Sequence, residues 1–353
     1  MKKLMLIAAA CVALASCVKN EVEPFVNESP ISFQAVQGME QTRADYAKDV
    51  PFAASAFLLD VSKGETWAAD GETADVEPYF LLQTVTWNVD PTNAPNKWTT
   101  AAPYYWPIQD KLVFFAHSPA TVTASIDATS KAYTFADYDV DAVKNQDLMV
   151  ATVVEAGYDK TTNEVPVKFN HKLTKISFKV KTADGYPTNK TIAVNKIVIT
   201  GLSKEGTLVL DKVGDPVTPV PAEANWTKKI GWKGQGTPTA VEYVYFEGSQ
   251  AISGETAITK GASAQEIFLP QSFVGNDNAK VIVDYTITTD LGGGLTATEE
   301  VTDIPVQLNA GTPTAWEMNK HITYVISVAP GKRILWAQPT IEDWETETGS
   351  LAI

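Results

Sequence analysis

Apolar side chains in this chain recur at every second residue, not every third or fourth. Ile176, Phe178 and Val180 share one face of a segment whose other face carries Lys175, Ser177 and Lys179. Val281, Val283, Tyr285 and Ile287 stand opposite Asp284, Thr286 and Thr288, and Ile322, Tyr324, Ile326 and Val328 form another such face. Successive side chains of an extended strand point to opposite sides, so this period specifies strands with one buried face. Further strands are expected over 31–36, 52–60, 112–116, 148–153, 165–169, 197–201, 241–246 and 266–270. β-Branched and aromatic residues fill them, and Gly, Pro, Asn and Asp punctuate them. After the first residues no long segment repeats near 3.6. The expected fold class is all-β, built from antiparallel sandwiches.

A chain of 353 residues with a 44% hydrophobic fraction can build more than one core. At about 150 residues per domain the length suggests two. The turn-rich stretch 181–190, with Ala183-Asp184-Gly185-Tyr186-Pro187, is the expected boundary. Residues 44–187 and 188–353 then each hold about seven strands, enough for one sandwich. A hairpin turn inside one domain is the competing reading of that stretch.

The first residues read as an export address. Lys2 and Lys3 precede an apolar run, residues 4–14, which is too short to span a bilayer as a helix. Leu14-Ala15-Ser16-Cys17 follows, and it resembles a bacterial lipobox. Small residues there let a peptidase grip an extended backbone, and the Cys17 thiol would carry the lipid. Residues 1–16 are thus expected to be a lipoprotein signal peptide. Their loss removes two lysines and no acid, taking the net charge from −14 to −16. Two or three acyl chains on Cys17 would hold the chain stably to the outer membrane. Residues 18–30 are polar with two prolines and read as a linker. Cys11 and Cys17 are the two cysteines, so the remainder has no disulfide and no thiolate chemistry.

The acidic balance excludes a nucleic-acid surface. His117, His171 and His321 have no metal-ligand spacing and read as structural. Asp137-Tyr138-Asp139-Val140-Asp141 opens like a calcium loop, but Ala142 and Leu148 occupy the positions where Gly and Glu are required. An exposed acidic turn is expected. Glu299-Glu300 and Glu342-Asp343 are adjacent carboxylates that strands would aim to opposite faces, so neither makes a catalytic pair. Asp290 to Gly294 lacks a following Lys-Ser/Thr and reads as a hairpin loop. No enzyme, cofactor or metal is expected. Trp98, Tyr104, Tyr105, Trp106, Phe114 and Phe115 leave two readings open. Buried, they are core; exposed, Trp98 and Trp106 would stack on sugar rings.

Several segments together carry a family resemblance. They are the lipobox at Cys17, Ile31-Ser32-Phe33 before Thr42-Arg43-Ala44, Trp98 followed by Ala102-Pro103-Tyr104-Tyr105-Trp106-Pro107, and Lys111-Leu112-Val113-Phe114-Phe115-Ala116. Asp147-Leu148-Met149-Val150-Ala151, Phe169-Asn170-His171-Lys172-Leu173, Asn319-Lys320-His321-Ile322-Thr323-Tyr324, and Trp336 and Trp344 complete the set. In order and spacing the chain resembles the fimbrillin family of Bacteroidales, the Mfa-like and FimA-like pilins. The resemblance implies two tandem transthyretin-like antiparallel β-sandwich domains and assembly into a surface fimbrium that supports adhesion. It also implies an arginine-specific protease that removes residues 17–43, the lipidated linker and first strand, by cutting between Arg43 and Ala44. Ile31, Phe33 and Ala35 would leave with that strand, and a C-terminal strand of another pilin subunit would replace it. Whether this subunit forms stalk, tip or anchor stays open. So does the alternative of a non-polymerising surface lipoprotein that binds a glycan or host receptor.

Overall fold

The structure, a computed structural model, describes residues 26–37, 44–67, 76–88, 96–127, 132–151, 154–158, 164–210, 231–233 and 240–344. Strands are the dominant regular structure among the described residues, and helix is confined to single short turns, as the period-two alternation requires.

In the N-terminal half the paired strands close on themselves. The order runs Met149–Ala151, Glu164–His171, Ser32–Gln37, Lys97–Thr100, Pro78–Asn88, Phe52–Leu59 and Lys111–Ser118. It returns to its start through Met149↔Ser118 and Val150↔His117. Inside the ring lie Phe33, Phe52, Trp98, Trp106, Phe114 and Phe169. Outside it, Phe57, Leu59, Val113 and Phe115 pack with Tyr133, Phe135, Leu208 and Leu210. These last four belong to a smaller sheet ordered Gly231–Lys233, Glu205–Leu210, Tyr133–Asp139 and Ser125–Ile126. Strand Lys111–Ser118 is therefore covered on both faces, which is why its sequence is a continuous apolar run without alternation.

The C-terminal half is a sandwich of two sheets around one core. One sheet is ordered Thr256–Ala257, Thr174–Thr182, Lys320–Ala329 and Arg333–Trp336, with Thr340–Asp343 also on Lys320–Ala329. The other is ordered Glu242–Ala251, Lys190–Thr200, Lys280–Gly292 and Leu295–Gln307. Ile176, Phe178, Val180, Tyr285, Tyr324 and Trp316 fill the space between them. Among the described residues most pairings are antiparallel. Two are parallel, Ser32–Gln37 with Glu164–His171 and Thr174–Thr182 with Lys320–Ala329. Parallel neighbours need long connections, and the sequence between each pair supplies them.

No break in pairing falls near residue 187. The stretch 183–189 joins Thr174–Thr182 to Lys190–Thr200, one strand from each sheet of the same sandwich. Pairing passes from the ring to the sandwich at Lys172 and Leu173, and Glu205–Leu210 returns to pair with Tyr133–Asp139. The return begins at Gly201, whose φ of +76° is open to glycine and where a Cβ would overlap the carbonyl of Asn278. The Asn276 amide donates to the Gly201 carbonyl at 3.0 Å and fixes that approach. Val26–Pro30 is a strand on Tyr105–Pro107, not a linker. Its few apolar residues hid it; the backbone of Tyr105–Pro107 supplies partners whatever the side-chain pattern.

His117 sits between these layers, 1% exposed, with its Nε2 3.0 Å from the Val122 carbonyl and its Nδ1 on the Tyr133 hydroxyl. The carbonyl can only accept, so Nε2 carries the proton and Nδ1 accepts from Tyr133. Burial pushes the imidazole pKa down to about 4. The unfolded chain thus binds a proton below about pH 6.5 that the folded chain refuses until about pH 4, and stability falls with pH across that window. Wild type should lose about 3 kcal/mol more than His117→Gln between pH 7 and pH 4 in urea titrations.

Candidate functional site

Ser32–Gln37 occupies the seat on which the inner core closes. One edge pairs in parallel with Glu164–His171, in six register pairs from Ser32↔Glu164 to Gln37↔Phe169. The other edge meets Phe33↔Trp98, Val36↔Asp45 and Gln37↔Ala44. Ile31, Phe33 and Ala35 are 3%, 2% and 7% exposed, whereas Gln34 faces solvent. Ser32 is buried as well, so the alternation is not strict at this end. Just before the strand, the Ile31 amide donates to the Tyr104 carbonyl at 2.7 Å.

Phe33 stands edge-on to Phe52 and Phe114, with centroids at 5.7 and 5.9 Å. Tyr46, just past the expected cleavage site, extends the cluster by packing on Phe52, Trp98 and Phe169. Its hydroxyl bonds to Ser118, and burial pushes its pKa up to about 12, so it stays a neutral bridge. Cys17 and Arg43 lie outside the described residues. Ala44 opens the short strand Ala44–Asp45, whose partner is the far end of Ser32–Gln37. Cleavage between Arg43 and Ala44 would separate those two paired segments.

At the other end of the chain, Arg333–Trp336 and Thr340–Asp343 lie on the same edge of Lys320–Ala329. Lys320 Nζ reaches Asp343 at 2.6 Å, and the Trp344 amide donates to the Asn319 carbonyl at 2.8 Å. The indole of Trp344 stacks on the His171 imidazole, with centroids 4.1 Å apart and planes 7° from parallel. His171 Nδ1 is 2.6 Å from Asp147 Oδ2, and both the imidazole and the indole are buried. No sequence spacing joins Asp147, His171 and Trp344; only the fold brings them together.

The remaining sequence candidates have structural employment. Trp98 and Trp106 are 3% and 1% exposed within the inner core, so the exposed-platform reading has no surface there. The Asp139 carboxylate accepts from the amides of Asp141 and Ala142 and pairs with Lys204 at 2.7 Å, leaving it engaged with the turn. Glu299 pairs with Lys332 at 2.6 Å. The His321 ring bonds to Ser177 Oγ at 2.9 Å. Among the described residues, no group of three His, Cys, Asp or Glu side chains could hold a metal. No described helix is long and apolar enough to cross a membrane.

Residues 37–344 match the fimbrillin-like family model. This chain belongs to the fimbrillin-like family. A crystallised fimbrial protein from Bacteroides vulgatus shares its fold, with a TM-score of 0.61 at 16% identity over 89% of this chain and 99% of that one. Crystallised candidate cell adhesion proteins from Bacteroides uniformis and Bacteroides ovatus are also similar, at 18% and 15% identity and TM-scores of 0.47 and 0.42. Each match covers 90% of the fimbrillin-like chain and 99% of the other. No curated protein sequence matches it. The family model begins at Gln37, the last residue of the buried strand.

Phe33→Ala should destabilise the uncut fimbrillin-like chain by about 3–5 kcal/mol, the range for deleting a buried phenyl ring. Gln34→Ala, on the solvent face, should change stability by no more than about 0.5 kcal/mol. Guanidinium unfolding of the two variants checks the contrast.

Proposed function

We propose that this chain is the precursor of a fimbrial subunit that supports adhesion at the cell surface. It is exported as a lipoprotein anchored in the outer membrane through Cys17. An arginine-specific protease cuts between Arg43 and Ala44. The lipidated segment then leaves with Ser32–Gln37, and the vacated groove accepts a C-terminal strand from another subunit. The reading assigns no enzymatic activity and no cofactor.

The observation that carries this reading is the burial of Ser32–Gln37 between two strands, a few residues upstream of Arg43, which stands alone as a basic residue between Lys19 and Lys48. A covalent cut at Arg43 would convert that strand from part of the fold into a bound peptide. Its departure would uncover the pockets of Ile31, Phe33 and Ala35 together with the edge of Glu164–His171. An open edge above an apolar groove accepts an incoming strand, with main-chain hydrogen bonds giving affinity and alternate side-chain pockets giving specificity. The replacement strand comes from the last residues of a neighbour. Arg333–Trp336 and Thr340–Asp343 are suited to leave because their outer edge carries no partner among the described residues.

An arginine-specific protease added to the lipid-free precursor should yield a fragment beginning at Ala44 by mass spectrometry. The cut protein should form a ladder of SDS-resistant oligomers, and Arg43→Ala should form none. Oligomers of equal yield from Arg43→Ala would overturn the cleavage requirement.

A further inference from the structure

We propose that Trp344 is a latch, which holds the segment 333–343 on its sheet while Ser32–Gln37 is in place and releases it when that strand leaves. The proposal rests on the assembly reading above and adds to it a control between the two ends of the chain.

The latch has three parts. Trp344 closes the segment 333–343 and is 6% exposed, although Leu335 and Ile341 within that segment are 49% and 48% exposed. The segment is therefore half-exposed at Leu335 and Ile341, rests on the core through Ile334 and Trp336, and is firmly buried at its end. That end sits on His171, whose ring is fixed by the carboxylate of Asp147 at Nδ1. A carboxylate at one nitrogen sets both the tautomer and the plane of an imidazole, and the plane is what a stacked indole needs. The third part is the position of His171 on its own strand. Glu164–His171 holds Ser32–Gln37 along one edge, with Phe169↔Gln37 the last pair, and Met149↔His171 on the other edge. His171 thus lies two residues beyond the strand that assembly removes.

The consequence follows from local stability. A strand that loses one of its two neighbours loses main-chain bonds and apolar cover, and its end frays first. Loss of Gln37 from beside Phe169 would leave the end of that strand held on one edge alone, by Met149–Ala151, and the looser end would let the His171 ring tilt away from Trp344. The segment 333–343 would then be held by its pairing to Lys320–Ala329, the Lys320–Asp343 contact, and Trp336, which packs on Tyr324 and donates to the Gln307 carbonyl. Before the cut, the same contact keeps the segment from invading a neighbouring groove early.

Hydrogen exchange read by mass spectrometry over peptides covering 333–344 tests the latch on the uncut precursor. Trp344→Ala should speed exchange there about tenfold or more, a loss near that of one aromatic pair with its burial, while peptides from Thr174–Thr182 keep wild-type protection. Trp344→Phe, which retains a ring to stack, should fall between the two. Wild-type protection of 333–343 in Trp344→Ala would overturn the latch. Cut wild-type protein freed of residues up to 43 should show the same acceleration without mutation; unchanged exchange would overturn the control by Ser32–Gln37. Because both readouts are local and precede assembly, they stand whether or not the cut protein polymerises. A failure to polymerise despite a released segment counts against the assembly reading alone.

Discussion

The parallel pairing of Ser32–Gln37 with Glu164–His171 is the constraint on which the rest of the N-terminal half depends. Its two partners are far apart in sequence, so bringing them together carries a substantial loop-closure cost before any contact forms. Burial of Ile31, Phe33 and Ala35 offsets that cost, with Phe33 alone contributing about 1.5–3 kcal/mol. The strand also completes the ring. Without it, Glu164–His171 and Lys97–Thr100 each lose a neighbour, and Trp98, Phe52 and Phe114 lose a face. The strand is thus central to the packing, and in the proposed assembly another strand would have to take its place.

The C-terminal half is arranged in the opposite sense. Its central parallel pair, Thr174–Thr182 with Lys320–Ala329, carries nine register pairs and the core residues Ile176, Phe178, Ile322 and Tyr324. The following segment, 333–343, lies on the outside of that pair with four register pairs in each of its two strands. Its detachment leaves the sandwich core behind. Trp336 is the exception within it, resting on Tyr324 and donating to the Gln307 carbonyl at 2.8 Å. The chain thus combines a buried strand in the N-terminal half with an edge segment held by a few specific contacts in the C-terminal half, and Trp344 stacks on His171 of the strand that pairs with Ser32–Gln37.

Much of this was legible in the sequence where one strand face is buried. The alternation at Ile176, Phe178 and Val180, and at Val281, Val283, Tyr285 and Ile287, survives residue for residue as the sandwich core. So does the seat of Ile31, Phe33 and Ala35. The aromatic run around Trp98 and Trp106 was ambiguous because composition does not distinguish a core from a platform; burial does. Domain organisation was the least legible. Glycine and proline mark a turn at 183–187 equally well whether it joins two domains or two sheets of one sandwich. The return of Glu205–Leu210 to Tyr133–Asp139 is a long-range pairing that no local signal encodes. Trp344 and His171 were each visible as single residues, but their stacking depends on the fold.

In the proposed assembly Ser32–Gln37 is a replaceable member of the fold. Strand add-back measures it most directly: the precursor is cut after Arg43, the N-terminal segment is removed under mild denaturant, and a synthetic peptide of residues 26–37 is titrated back. The stripped protein should unfold at clearly lower denaturant, expose apolar surface to a fluorescent dye, and regain the stability of the uncut chain at one peptide per chain. The same peptide with Phe33→Asp should fail to restore it. A stripped protein as stable as the precursor, or one that ignores the peptide, would contradict the account.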